Sequence, residues 1–180
     1  AFHLAEVFYL VKSVVAIVRE ANKHRPPTRK IYVVIDNTFA SPFCQRPLEL
    51  GADFVVASLT KSICGFGTDM GGVVVGPRWS FDLLLLYRKD FGGALAAKSA
   101  WPILVYGLPS LATRMRQEMA NARKVAEFLE NDHRVEFVRY PGLDSFPQRE
   151  LARRQMRDYD GIFAPGSLMY FALTGTTPKA

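Results

Sequence analysis

Cysteine is scarce in this chain: only Cys44 and Cys64 occur in 180 residues. Two cysteines without CxxC spacing exclude a disulfide framework and point to a reducing compartment, the cytoplasm. Histidine is equally thin. His3, His24 and His133 are scattered and none sits beside a cysteine, so no metal site is expected. A long uncharged apolar run is missing too. The nearest approach, residues 1–18, is interrupted by Glu6 and Lys12, short of the roughly 20 apolar residues that span a bilayer. It also lacks the basic start and small-residue cleavage site of a signal peptide. Leu4, Val7, Phe8, Val11, Val14, Val15 and Val18 instead fall on one helical stripe, the pattern of a packed helix. The net charge is +6, but the basic residues are spread rather than clustered with aromatics. That distribution suits a soluble enzyme handling phosphate and carboxylate anions better than a nucleic-acid surface.

What is present is a core-forming chain, 49% hydrophobic, sized for one domain or a little more. It is organised around residues 31–76. IYVVI (31–35) is a β-branched run ending on Asp36, as expected of a strand buried on both faces. Pro47 suits a first helical position, with Leu48–Ala52 as a short helix closed by Gly51. DFVVA (53–57) reads as a second buried strand, followed at once by Ser58, Thr60 and Lys61, and GVVVG (72–76) as a third.

Ligands of open parallel sheets sit beyond the carboxyl ends of the strands. Asp36 at one strand end, and Ser58, Thr60 and Lys61 at another, put an acid, two hydroxyls and an amine at one crevice. That set suits pyridoxal phosphate (PLP). An amine captures the aldehyde as a Schiff base, an acid keeps the pyridine nitrogen protonated, and hydroxyls hold the phosphate. Taken singly, each residue has a duller reading: a surface lysine, or an aspartate that caps a turn. Their joint placement favours the cofactor.

Asp36-Asn37-Thr38-Phe39, then Gln45 to Asp53, then Ser58-Leu59-Thr60-Lys61 and Gly71-Gly72, resemble the Cys/Met-metabolism family of PLP-dependent enzymes. Gly107-Leu108, Leu111, Arg114-Met115, Asn121-Ala122 and Lys124–Glu130 continue the resemblance. So do Tyr140-Pro141-Gly142-Leu143, Ser145, Pro147-Gln148 and Glu150-Leu151-Ala152. It runs from about Ile31 to the end. It implies an α/β fold of the fold type I PLP-dependent transferase kind, a mostly parallel sheet flanked by helices, plus the start of a small α+β C-terminal domain. The expected division is a partial large PLP-binding domain, 1–131, and the beginning of the small domain, 132–180.

The resemblance further implies that Lys61 is the catalytic Schiff-base lysine and Asp36 the partner of the pyridine nitrogen. Ser58 and Thr60 would bind the phosphate. The implied chemistry is elimination or replacement at the β or γ carbon of sulfur-containing amino acids or activated homoserine. Cystathionine or methionine lyase activity comes first, with O-acetylhomoserine sulfhydrylase or cystathionine γ-synthase chemistry as the alternative. A homo-oligomer, dimer or tetramer, acting on a small amino acid is implied, with no nucleic-acid or membrane partner. Family members carry an upstream glycine-rich loop and a ring-stacking aromatic that have no match before Ile31, so an interior fragment is expected.

Many members also have an aromatic directly after the lysine and a histidine after the next glycine; Ser62 and Phe66 stand there in this chain. Two other readings therefore stay open: a non-covalent phosphate-binding module using the 65–72 loop, and a non-catalytic relative. Cys64 reads as a small packing residue. Downstream, helices are expected at 80–90 (on the sheet), at 100–131 with bends near Pro102 and Gly107–Pro109, and at 145–156. Strands are expected at 135–143 and 166–175. The apolar stripe of the long helix is read as Leu111, Met115, Met119, Val125, Phe128 and Leu129.

Overall fold

The computed structural model describes residues 10–175, so Leu4, Val7 and Phe8 of the expected first stripe lie outside the described residues. Contacts divide the chain into two units. One holds Leu10–Pro42 and Arg46–Leu111; the other holds Phe43–Gln45 and the chain from Ala112 onward.

In the first unit, helix α1 (Val11–Asn22) buries Val11 and Val15 against Val33 and Ala52, with Val14, Val18, Ile35 and Leu50 around them. The stripe works as its spacing dictates, and the helix runs on through Arg19 to Asn22. The Asn22 amide then grips the backbone of Ile31, donating to its carbonyl and accepting from its N–H, each at 2.9 Å. That double bond seats the next strand, and Pro26-Pro27 prevents the helix from continuing.

Strand β1 (Val34–Asp36) pairs in parallel with β2 (Phe54–Ser58), and β2 pairs antiparallel with β3 (Gly72–Val75). A parallel third strand would need a crossover back past the sheet. Residues 59–71 are spent on a turn and a glycine loop instead, so the chain returns beside the strand it left. The sheet is therefore half parallel among the described strands. Helices and sheet together still make the expected α/β class.

One face of this sheet is packed. Val33 and Ile35 meet α1, while Ala57 and Val73 meet Ile63, Cys64 and Ile103. The alternate residues face the other way, and there Val34 is 54% and Val74 49% exposed. The expectation of strands buried on both faces is corrected: on the second face Trp79 meets Phe54 edge-on at 5.9 Å, while Val34 and Val74 stay exposed. Leu48–Ala52 is likewise not a helix. Glu49, Leu50 and Gly51 each donate to the carbonyl three residues back, and Gly51 leaves that run of turns at a φ of +100°. The short helix lies earlier, as α2 (Ser41–Cys44).

Helix α3 (Phe81–Asp90) forms where expected, but buries none of its residues. Four consecutive leucines at 100° intervals surround the helix instead of making a stripe, so the expected packing on the sheet does not occur. Helix α4 (Ala97–Pro102), a wide turn (Ile103–Gly107) and helix α5 (Leu108–Glu130) follow. The wide turn fits between Pro102 and Pro109, where missing N–H groups weaken ordinary helical bonding; Leu108 donates to Ile103 instead, five residues back.

In the second unit, α5 turns Ala122 and Ala126 toward Val138, Tyr140 and Leu143. Val125 and Phe128 are exposed, so the expected stripe is corrected at both. Alanine suits the contact because the Tyr140 ring occupies the space. Strands β4 (Val135–Arg139) and β5 (Tyr170–Leu173) pair antiparallel, shorter than expected, and α6 (Arg149–Gln155) starts later than position 145. Phe43 is fully buried, with Tyr159 edge-on at 5.2 Å, and Gln155 donates to Gln45 at 2.7 Å.

Tyr140 is also fully buried; its hydroxyl donates to the Gly166 carbonyl at 2.9 Å, and burial pushes its phenol up to about 12. Tyr140→Phe should lower the unfolding free energy by about 1 kcal/mol in urea titrations. A raised phenol stabilises below its ordinary value near ~10 and ceases to do so as pH climbs through the folded value. Wild type should therefore lose stability between pH ~10 and about 12, a decline that the phenylalanine variant lacks. The ends of β1 and β2 are tied by the Thr38 hydroxyl, which accepts from the Ser58 N–H at 2.8 Å. Thr38→Val should cost about 1–2 kcal/mol by stranding that N–H, whereas Thr38→Ser should stay within about 0.5 kcal/mol of wild type.

Candidate active site

The site is built where β1 and β2 run out side by side. Asp36 is the last residue of β1 and stands opposite Val56; Ser58, the last of β2, lies two residues farther, about 6–7 Å along the strand. Alternation puts both side chains on the open face. Asp36 accepts the Thr38 N–H at 2.9 Å through Oδ1, which shapes the turn that follows. Among the described residues no other partner engages this exposed carboxylate. Asn37 is buried and donates from its backbone to the Val56 carbonyl at 2.8 Å, so the turn stays bound to β2 after the acid.

At the end of β2 the chain enters a wide turn, Leu59–Ile63, kinked at Lys61 with φ −86° and ψ −128°. Backbone bonds fasten it on both sides. Leu59 donates to Gly71 at 2.9 Å, Cys64 to Leu59 at 2.8 Å, and Gly65 to Lys61 at 2.9 Å. Ile63 and Cys64 are buried beside Ala57 and Ile103. The base of the turn is anchored while the Lys61 side chain is exposed, its amine with no ion pair or hydrogen bond to any described residue.

The hydroxyls differ in what they already do. Thr60 accepts the Gly71 N–H at 3.1 Å and makes a long 3.5 Å approach to the Gly71 carbonyl, lacing the turn to the loop before β3. The Ser58 hydroxyl has no partner among the described residues, and its strand neighbour is Gly72, which has no side chain. The loop between is glycine-dependent: Gly65 and Gly67 have φ of +76° and +66°. Cys64 serves it from below. Its fully buried thiol lies 3.8 Å from the Thr68 hydroxyl, and the Phe66 backbone bond above all holds it below the usual thiol range.

The structure thus brings Asp36, Ser58, Thr60 and Lys61 to the ends of two adjacent strands. Sequence reasoning missed the binding parts, Thr38 and Gly71. A threonine two places past a strand-end acid was visible, but its reach to a second strand depends on pairing. Among the described residues no His/Cys/Asp/Glu group could hold a metal ion, and no helix is long and apolar enough to cross a membrane.

Residues 5–172 match the family described as Cys/Met metabolism PLP-dependent enzyme. An L-methionine gamma-lyase of Pseudomonas putida is 44% identical over 144 residues, covering 79% of this chain and 35% of the relative. A cystathionine beta-lyase of Coxiella burnetii is 42% identical over 137 residues, covering 76% and 35%. The crystal structure of an apo methionine gamma lyase from Micromonospora echinospora superposes with a TM-score of 0.83 at 33% identity, covering 96% of this chain and 44% of that one. The chain spans about a third of the length of these curated relatives. With the strand-end site, the glycine loop and the kinked lysine turn in place, the chain belongs to the Cys/Met metabolism family of PLP-dependent enzymes.

Proposed function

We propose that this chain carries the cofactor-capturing part of a PLP-dependent enzyme. The reaction is elimination or replacement at the β or γ carbon of a sulfur-containing amino acid or activated homoserine, with the methionine or cystathionine lyase type first. The observation that carries this is the Lys61 amine, free of partners among the described residues, at the end of a strand whose parallel neighbour ends in Asp36. The donor set fits the cofactor. Lys61 offers an unpaired amine, Asp36 a carboxylate oxygen without a partner, and Ser58 an unengaged hydroxyl.

Bound PLP would supply an aldehyde that captures amines and a ring that accepts electrons from bonds broken at the substrate α carbon. Lys61 would hold the cofactor and then move the proton between the α carbon and its neighbours. Asp36 would keep a proton on the pyridine nitrogen through a charge-assisted bond. Ser58 would bind the phosphate; Thr60 would join it by turning its hydroxyl away from Gly71. The division into a large cofactor domain, 1–131, and the start of a smaller one, 132–180, belongs to the same proposal. So do a homo-oligomeric assembly and a cytoplasmic location.

The test uses the full-length protein with PLP, borohydride reduction and peptide mass spectrometry. Lys61 should carry the reduced cofactor, and Lys61→Ala should lose both adduct and turnover of methionine or cystathionine. Asp36→Asn should keep the adduct but lose about 10²-fold or more in kcat. Unmodified Lys61 in folded wild type would transfer the reading to a non-covalent phosphate site. An adduct without turnover of methionine, cystathionine or O-acetylhomoserine would mark a non-catalytic relative.

A further inference from the structure

The Lys61 turn rests on another stretch of backbone. Gly107, buried at the end of the wide turn Ile103–Gly107, sits against the segment that follows the lysine. A Cβ built on Gly107 would lie 2.5 Å from the Ile63 carbonyl oxygen, 3.0 Å from the Cys64 carbonyl oxygen and 3.1 Å from the Cys64 Cα. All three obstructing atoms are main chain, so no flexible side-chain tip can swing aside. At Gly51, by contrast, the nearest atoms are side-chain atoms of Arg19 and Val15.

Glycine is a poor helix former beside alanine, so its place between two helices needs an offsetting reason. Close approach supplies one. The extra residue of the wide turn puts Gly107 beneath Ile63 and Cys64, and Ile103 from the same turn packs against both. Ile63 and Cys64 are the second and third residues after Lys61, and the Cys64 and Gly65 amides close the lysine turn.

We propose that Gly107 is a positioning residue for Lys61: its missing side chain lets the 103–107 turn act as a rigid floor that fixes where the lysine turn ends. This rests on the reading of Lys61 as the cofactor lysine. The idea predicts that a methyl group at position 107 displaces the lysine turn by a fraction of an ångström while both helices persist. Reactions that depend on placement lose about 10²-fold for shifts on the order of 1 Å.

The experiment compares wild type, Gly107→Ala and Gly93→Ala in the full-length protein. Gly93 is the control, because a Cβ there meets nothing closer than 3.5 Å. In Gly107→Ala the Cys64 and Gly65 amides should exchange with deuterium at least ~10-fold faster without cofactor, while the Ala122–Ala126 stretch of α5 keeps its protection. With PLP added, covalent capture by Lys61, followed by absorbance, should slow ~10- to 100-fold. kcat should fall similarly, with KM within about threefold. Gly93→Ala should match wild type.

Exchange and capture both within twofold of wild type would overturn the proposal, as would exchange accelerated equally along the whole chain. If wild type captures no cofactor at Lys61, the functional reading falls and amide exchange alone judges Gly107. If Gly107→Ala does not fold, Ile103→Val reads the same contact: faster exchange confined to Cys64 and Gly65 supports the floor, and unchanged exchange overturns it.

Discussion

The site depends on how the chain leaves β2 without stranding its backbone polar groups. A strand that ends in the open can give them to water; one that ends against packed residues must find partners at once. Here the Ser58 N–H goes to the Thr38 hydroxyl, the Leu59 N–H to the Gly71 carbonyl and the Cys64 N–H to Leu59. Each bond ties the exit of β2 to a different neighbour: the end of β1, the entrance of β3, and its own turn. Lys61 stands at the middle of this binding, on the one residue whose backbone departs from the turn's regular course. Its position is held by bonds that its own side chain does not make.

Residues of one chemical type divide their labour accordingly. Thr38 and Thr60 spend their hydroxyls on backbone, while the Ser58 hydroxyl and the Asp36 carboxylate face outward with capacity to spare. Cys64, three residues after the lysine, works from beneath the loop as a buried anchor. The reactive groups and the groups that aim them thus alternate along the same short segments. This is why sequence position alone says little about which is which.

Much of the fold was legible because β-branched runs are hard to place anywhere but in strands. IYVVI, DFVVA and GVVVG became β1, β2 and β3 to within a few residues, and Asp36, Ser58 and Lys61 followed from where those runs stop. The direction of β3 was not legible, since it depends on what residues 59–71 do in space. Exposure of the second sheet face was not legible either: Val34 and Val74 read as core in any sequence, whatever does or does not cover them. Four leucines in a row foretold the helix α3 but said nothing of a buried side. Ala122 and Ala126 escaped because small residues become core only when a large one, here Tyr140, comes to meet them. Pro47 before Gly51 looked like a helix start and stop, yet a stretch that short closes as well through successive turns.

The three residues Phe43–Gln45 belong to one unit while the chain on both sides of them belongs to the other. Their partners arrive late: Gln45 waits for Gln155, 110 positions onward, and Phe43 for Tyr159. On a ribosome adding about 5–20 residues each second, that interval is roughly 5 to 20 seconds. The contacts of Arg116 over the Phe43 ring and Met119 beside the Cys44 thiol are made earlier, but Tyr159 and Gln155 are still to come. The first unit is fully made by Leu111, whereas the second must hold three early residues until its late ones appear, and no single cut in the chain separates the two cleanly.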